Sequence, residues 1–407
     1  MLAIRAGSLF DGLRLHHRPQ VLVAGDRITD IDFTGAPPPA GYRLIDLGDA
    51  TLLPGLIDTH MHLVFDSGTD PAGHLQAVSD EQLLDEARAA ARRALNAGIT
   101  CVRDLGDRSF LGVRLREETA ARPELGPDVV PAGPPITVPG GHCWFLGGAA
   151  RGTAAVTDAV RDHADRGAAV IKVMVTGGHM TSGPDPGALA ACQFSADELR
   201  AAAEEAHRRG LPVTGHAHGR DGIVAALGAG FDGVEHASFV TPHGPDPDPR
   251  VIDALAASGT FVSTCVAGTV PGIPLPPIIA AVMPGMRALM HALTERGTRI
   301  VIGPDAGIAP HKPHDVLPYA IADMAEFLGN AGALSAATYH AAAACHLADS
   351  KGRLAPGFDA DILAVNGNPV TDISAIHRRV ALFHRGRPCH HQPAVRAQPD
   401  APVQFQE

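Results

Sequence analysis

Apolar and polar positions follow two regimes along the chain. In the first fifty residues and again near the end, short apolar runs are broken by Gly and Asp: LAIRAGSLFDG, QVLVAGDRITDID and RLIDLGDATLLPG, then GRLAPGFDADILAVNG and RVALFHRG. Such runs predict short strands joined by turns. From about Leu56 to about Asp349, strand-like and helix-like segments alternate instead. Eight strand candidates stand there: LIDTHMH, ITCVRDLG, VVPAG, VIKVMV, VTGHAH, GVEHAS, FVSTC and IVIGPDAG. Near-continuous apolar runs of this kind suit parallel strands covered by helices on both faces. Two intervening helices carry start and stop signals. Ser79 with Gln82, and Ser195 with Glu198, have capping-box spacing, and Gly98 and Gly210 follow the helical patterns they open.

The pattern predicts an α/β protein: a (β/α)8 TIM barrel over 55–349, with a small β-sandwich domain built from both chain ends, 1–54 and 350–388. ATLLPG is the crossing between them. The polar, proline-containing segment from 389 to 407 reads as a flexible tail.

One residue breaks the apolar rule. Lys172 sits inside AAVIKVMVTGG, and a lysine is almost never fully buried unless paired. Burying its charge costs several kcal/mol unless it finds a partner or gives up its proton. A neutral lysine can add CO2 to become a carbamate, an anion whose two oxygens two metal ions can share. The competing reading is an unmodified lysine paired with a carboxylate such as Asp305.

Composition narrows the function. The chain has 407 residues, 45% of them apolar, and a net charge of −11, which disfavours nucleic acid or an anionic membrane as a main partner. No apolar stretch approaches the ~20 residues of a membrane span, and the start, MLAIRAGSLFDG, has no signal-peptide pattern. Six scattered cysteines without zinc-ribbon or redox spacing read as reduced thiols in the cytoplasm. GAGFDG at 228–233 imitates a dinucleotide fingerprint, but it runs from helix to strand, the reverse of a Rossmann loop.

Histidine is the unusual count, at 22. His60 and His62 end the first predicted strand, and residues two apart on a strand share a face. His216 and His218 end the fifth, His236 the sixth and Asp305 the eighth. Strand ends at the C-terminal mouth are where barrel enzymes place their active sites, and imidazole is a common metal ligand. Histidines without such context, among them His16, His17, His74, His163, His207, His390 and His391, read as surface residues.

LLPGLIDTHMH, GITCVRDLG, GGHC, VIKVMVTGG, GHAHG, GVEHAS, GPDAG and GRLAPGFDADILAVNGNP stand in an order that resembles the amidohydrolase superfamily. The similarity is to its branch of Xaa-Pro and Xaa-Arg dipeptidases, ochratoxinase-type amidases and imidazolonepropionase-like proteins, and it spans nearly the whole chain. The resemblance implies a binuclear metal-dependent amidohydrolase. His60, His62 and Asp305 would hold the more buried metal, His216 and His236 the second, and a carboxylated Lys172 would bridge them. Two divalent ions, zinc first among the expected metals, would activate a shared hydroxide. Asp305 would move its proton to the leaving amine. His218 stands where relatives often have a tyrosine that contacts substrate or oxyanion, so the resemblance gives it a catalytic or substrate-binding role. His142, in PGGHCWF, resembles a residue facing the substrate, and His179 reads as a loop residue on the same rim. Pro304, where Thr or Ser is common, and STCVAG, which lacks a usual proline, depart from the pattern at the mouth.

The expected substrate is a small molecule with an amide next to a carboxylate, such as a dipeptide or N-acyl amino acid. The alternatives are a lactone, a cyclic imide or imidazolone, or an organophosphate, because one centre serves all of these. A non-enzymatic scaffold would have lost ligands, and all six are present. A homo-oligomer is expected from the resemblance alone.

Overall fold

The computed structural model describes residues 1–183, 189–241 and 243–389, apart from the side chain of Ile278. Eight parallel strands alternate with eight helices through the middle of the chain. The strands are β1 (Leu56–Met61), β2 (Ile99–Asp104), β3 (Asp128–Pro131), β4 (Ile171–Met174), β5 (Val213–Ala217), β6 (Gly233–His236), β7 (Phe261–Thr264) and β8 (Arg299–Ile302). The helices are α1 (Asp80–Asn96), α2 (Leu111–Ala121), α3 (Thr153–Asp165), α4 (Ala196–Arg208), α5 (Arg220–Gly228), α6 (Pro249–Ser258), α7 (Pro277–Glu295) and α8 (Leu317–Ala336). All eight sequence-predicted strands form. They pair in parallel as a three-stranded sheet, β3-β2-β1, and a five-stranded sheet, β4-β5-β6-β7-β8. Isolated parallel bridges join the sheets at both margins, Ile136 to Val173 and Met61 to Ala306.

Local chemistry sets the helix ends as the spacing predicts. Ser79 and Ser195 each accept from the backbone N–H three residues on, while Gln82 and Glu198 reach back to the cap N–H. Gly98 and Gly210 turn the chain into β2 and β5 with φ of 91° and 72°, a conformation that side chains resist. The inward faces of α1 and α4 are mostly alanine and leucine. Small residues let these helices lie close against the strands, so most of the apolar core is the layer between them. The GAGFDG run ends α5 and leads into β6, a helix-to-strand turn.

Strands from the two chain ends pair with one another. Ile362–Val365 runs antiparallel to Thr51–Pro54 inside a six-stranded sheet, and Leu2–Arg5 centres a four-stranded one. Ile4, Leu9, Val21, Leu52, Ile362 and Phe383 belong to one apolar cluster that both sheets feed. Thr51–Pro54 continues through Gly55 into β1, so the expected crossing point is where the chain passes from one unit to the other. Lys351 ties the units together. Its ammonium lies 2.6 Å from Asp128 on β3, 2.8 Å from Asp359 and 2.6 Å from Asp361. Among the described residues, no helix is long and apolar enough to cross a membrane. The segment read as a flexible tail lies outside the described residues from His390 onward.

Candidate metal centre

The C-terminal ends of the parallel strands converge on a buried polar centre, the position where parallel α/β sheets place ligands. β1 supplies His60, and His62 follows directly. Their placement depends on the end of β8. A Cβ at Gly303 would fall 2.6 Å from His60 Cβ and 2.7 Å from its backbone N, so only glycine lets β8 pass behind that ring. The chain then folds back, and the Asp305 N–H donates to the His60 carbonyl at 2.9 Å. Asp305 takes φ of 64° and His236 φ of 68°. Left-handed backbone at non-glycine residues is uncommon and clusters at functional sites. Here it aims both side chains into the centre.

Three overlapping groups of ligand-bearing side chains result at this centre among the described residues; one is His60, His236 and Cys265, and the other two carry the expected ligands. In the first of these two, Asp305 Oδ1 lies 3.3 Å from His60 Nε2 and 3.2 Å from His62 Nε2. That spacing suits donors around one ion, since tetrahedral ligands at ~2.0–2.1 Å from zinc stand a little over 3 Å apart. Burial alone would raise the Asp305 carboxyl, but the His60 and His62 rings outweigh it and hold the group well below the usual carboxylate range. In the second, His216, His218 and His236 gather, with His236 Nε2 2.9 Å from His216 Nδ1. His216 Nε2 donates to the Gly177 carbonyl at 3.0 Å, which puts the proton on Nε2 and leaves the Nδ1 lone pair turned toward His236 Nε2, where a cation would take the place of their contact. Burial and then neighbouring positive charge lower His60 to about 4, and His216 and His236 well below the ordinary imidazole value. Neutral rings are the form a metal needs.

Lys172 is 1% exposed, and its Nζ has no hydrogen-bond partner among the described residues. Burial lowers its pKa, favouring the free amine. Glu235 and Asp305 are the negative charges that oppose this shift, and neither accepts a hydrogen bond from Nζ. A buried amine with no hydrogen-bond partner among the described residues, at a centre rich in ligand-bearing side chains, fits a site completed by cations.

The substrate-facing candidates separate. His142 stacks on His216, with ring centroids 4.4 Å apart. A Cβ at Gly178 would lie 2.3 Å from its Cε1, so glycine gives that ring its space. Burial lowers His142 to about 3. His218 places Nδ1 2.8 Å from Ser238 Oγ and stacks on His236 at 4.4 Å. It stands among the possible ligands of the second group, a position the resemblance did not assign. His218, His236 and His179 also line a cavity of about 380 Å³. His179 reaches the cavity from the loop after β4.

Sequence reasoning missed several buried partners. Glu235 receives Arg103 Nη2 at 2.8 Å and the Thr214 hydroxyl at 2.6 Å, and His60 Nδ1 lies 3.0 Å away. Lys312 donates to the carbonyls of Cys265 and Pro304, both at 2.5 Å, bracing the ends of β7 and β8. Cys265 Sγ lies 3.5 Å from His60 Nδ1. One expectation fails outright: His163 is buried, not on the surface. Its ring bridges the carbonyls of Ala159 and Pro134 at 2.7 and 2.6 Å, pinning α3 to the loop after β3.

Fold and site define an α/β enzyme with a histidine-rich centre at the carboxyl ends of its parallel strands. The profile of the amidohydrolase family matches residues 51–387, and the chain belongs to that family. An ochratoxinase of Aspergillus niger is 28% identical over 426 aligned residues, covering 94% of this chain and 84% of the relative. A solved Xaa-Pro dipeptidase with methionine bound in its active site matches with a TM-score of 0.82 at 26% identity, over 95% of this chain and 99% of that one. A prolidase complexed with N-methylphosphonate-L-proline matches with a TM-score of 0.82 at 25% identity, over 96% and 100%. These are the family and branch that the motifs resemble. The chain is a hydrolase acting on amide bonds.

Proposed function

We propose that the chain is a binuclear metal-dependent amidohydrolase that cleaves a small amide, a dipeptide or an N-acyl amino acid. The observation that carries this is the Lys172 amine, buried with no hydrogen-bond partner among the described residues at a centre rich in ligand-bearing side chains. Addition of CO2 to that amine, with loss of a proton, gives an anion that removes the need for a buried ammonium. His60, His62 and Asp305 would hold one ion and His216 and His236 the other, with carboxylated Lys172 shared. Divalent ions, zinc foremost, supply activation of water and polarisation of a carbonyl when bound.

The chain's own groups do the rest. Asp305, kept ionised by His60 and His62, accepts the proton of the attacking water and passes it to the departing nitrogen. His218 and His142 face the substrate, and a histidine N–H at that position can donate to the developing oxyanion. In this reading the eight strands close into one (β/α)8 barrel, with the Ile136–Val173 and Met61–Ala306 bridges as seams. The paired chain ends, 1–54 and 350–388, form the β-sandwich. The free state of all six cysteines supports a reducing compartment, the cytoplasm, and the enzyme works as a homo-oligomer.

The names of the dipeptidase and ochratoxinase relatives favour an amide over a lactone, imide or phosphotriester. The test is a panel of dipeptides, N-acyl amino acids, lactones and phosphotriesters offered to metal-loaded protein. The best amide is expected to reach a kcat/KM of about 10⁴ M⁻¹s⁻¹ or more. Turnover of lactones or phosphotriesters with none of any amide would reject the substrate class.

A further inference from the structure

The cavity beside the centre has a wall that folding does not explain. Ile279, Val282, Met283 and Met286 fall three, four and seven residues apart on α7, so they share one helix face. That face lines the cavity and is only partly buried. Across from it stands the hairpin of Val240–Thr241 and Gly244–Pro245. The two sides are in register, because a Cβ at Gly285 would touch Pro245 at 3.0 Å. His218, His236 and Cys265 belong to the same lining, so the cavity opens onto the candidate metal centre. An apolar face left facing a void costs stability unless something apolar fills it.

The charges agree. Among the described lining residues there is no Asp, Glu or Arg, and the one ammonium, Lys312, is already engaged by two carbonyls. Among the described lining residues, no side chain with a permanent positive charge is left free to meet a carboxylate.

We infer that this cavity binds an uncharged, apolar limb of the substrate, extending from the scissile carbonyl between α7 and the hairpin. This rests on the amide-hydrolase reading and sharpens it: any substrate carboxylate lies outside the cavity. The volume is more than twice the ~150 Å³ that holds a benzene ring, which suits a medium alkyl chain or a substituted ring. Met283 and Met286 line it, and unbranched thioethers repack around limbs of different shape.

Binding can be read without turnover. Straight-chain methyl ketones, from butanone to nonanone, carry a carbonyl but no cleavable bond. Titrated calorimetrically into metal-loaded protein, they are expected to gain about fourfold in affinity per methylene until the cavity fills. A nonanone analogue ending in a carboxylate should bind at least ~10-fold more weakly. The Met286→Glu variant should flatten the series while retaining its metal. In parallel, kcat/KM for N-acetyl- to N-octanoyl-glycine should rise with chain length. Chain-length-dependent ketone binding with none of these amides cleaved would support the apolar limb and reject N-acyl amino acids as the substrate class. Ready cleavage of the amides, with both series flat in chain length, would overturn the inference and leave the hydrolase intact.

Discussion

Asp305→Asn lowers kcat by about 10²–10⁴-fold in protein that folds normally. The substitution keeps the shape and removes the charge. Burial opposes that charge, and His60 and His62 outweigh burial, which favours the ionised carboxylate in the wild type. Its left-handed backbone and the Asp305 N–H to His60 carbonyl bond are main-chain features that asparagine tolerates. The loss should therefore appear in turnover. Circular dichroism and metal content, measured on the same sample, separate a failed proton transfer from a failed fold or a lost ion. Turnover within a few-fold of wild type would remove Asp305 from the chemistry.

The second large effect is on stability. Glu235→Leu is expected to cost about 3–5 kcal/mol, because it strands a buried guanidinium. Arg103 keeps Thr59 and Ala344 carbonyls as acceptors, but Glu235 is its only ion-pair partner among the described residues. Burial pushes the Glu235 carboxyl up, while Arg103 and then His60 pull it far below its usual range. In urea unfolding, the double variant Glu235→Leu/Arg103→Met should recover much of the loss, the coupling expected of partners in contact. A single-variant cost under about 1 kcal/mol would mean water solvates Arg103. His60 also loses the carboxylate beside Nδ1, so metal affinity should fall by about 10–100-fold.

The elements were legible because burial on both faces writes strands as apolar runs and because helix caps have fixed spacing. Glu235 in GVEHAS and Arg103 in ITCVRDLG break the apolar pattern just as Lys172 does. Each is a charge inside a buried strand, and each had a partner to be found. Strict alternation fails at β6. It puts Glu235 and His236 on opposite faces, yet φ of 68° at His236 and 43° at Ala237 turns the imidazole back toward the centre. No residue pattern announces that kink. Lys312 and the Cys265 carbonyl it braces meet from separate loops, and the apolar cavity arises between α7 and a hairpin distant in sequence. Such contacts are set by tertiary packing, which periodicity does not encode. His163 carried no signal either, since a lone helical histidine reads the same whether it faces water or the loop after β3.

The central claim is that two ions are held around a modified Lys172, and metal content per chain tests it most directly. Wild type and Lys172→Ala, both expressed with added divalent metal and bicarbonate, are compared by elemental analysis and gentle native mass spectrometry. About two ions per chain, falling to one or none in the variant, with a CO2 adduct present only in wild type, is the predicted result. One ion per chain in both proteins would contradict the bridged centre and leave the buried Lys172 amine without its partner.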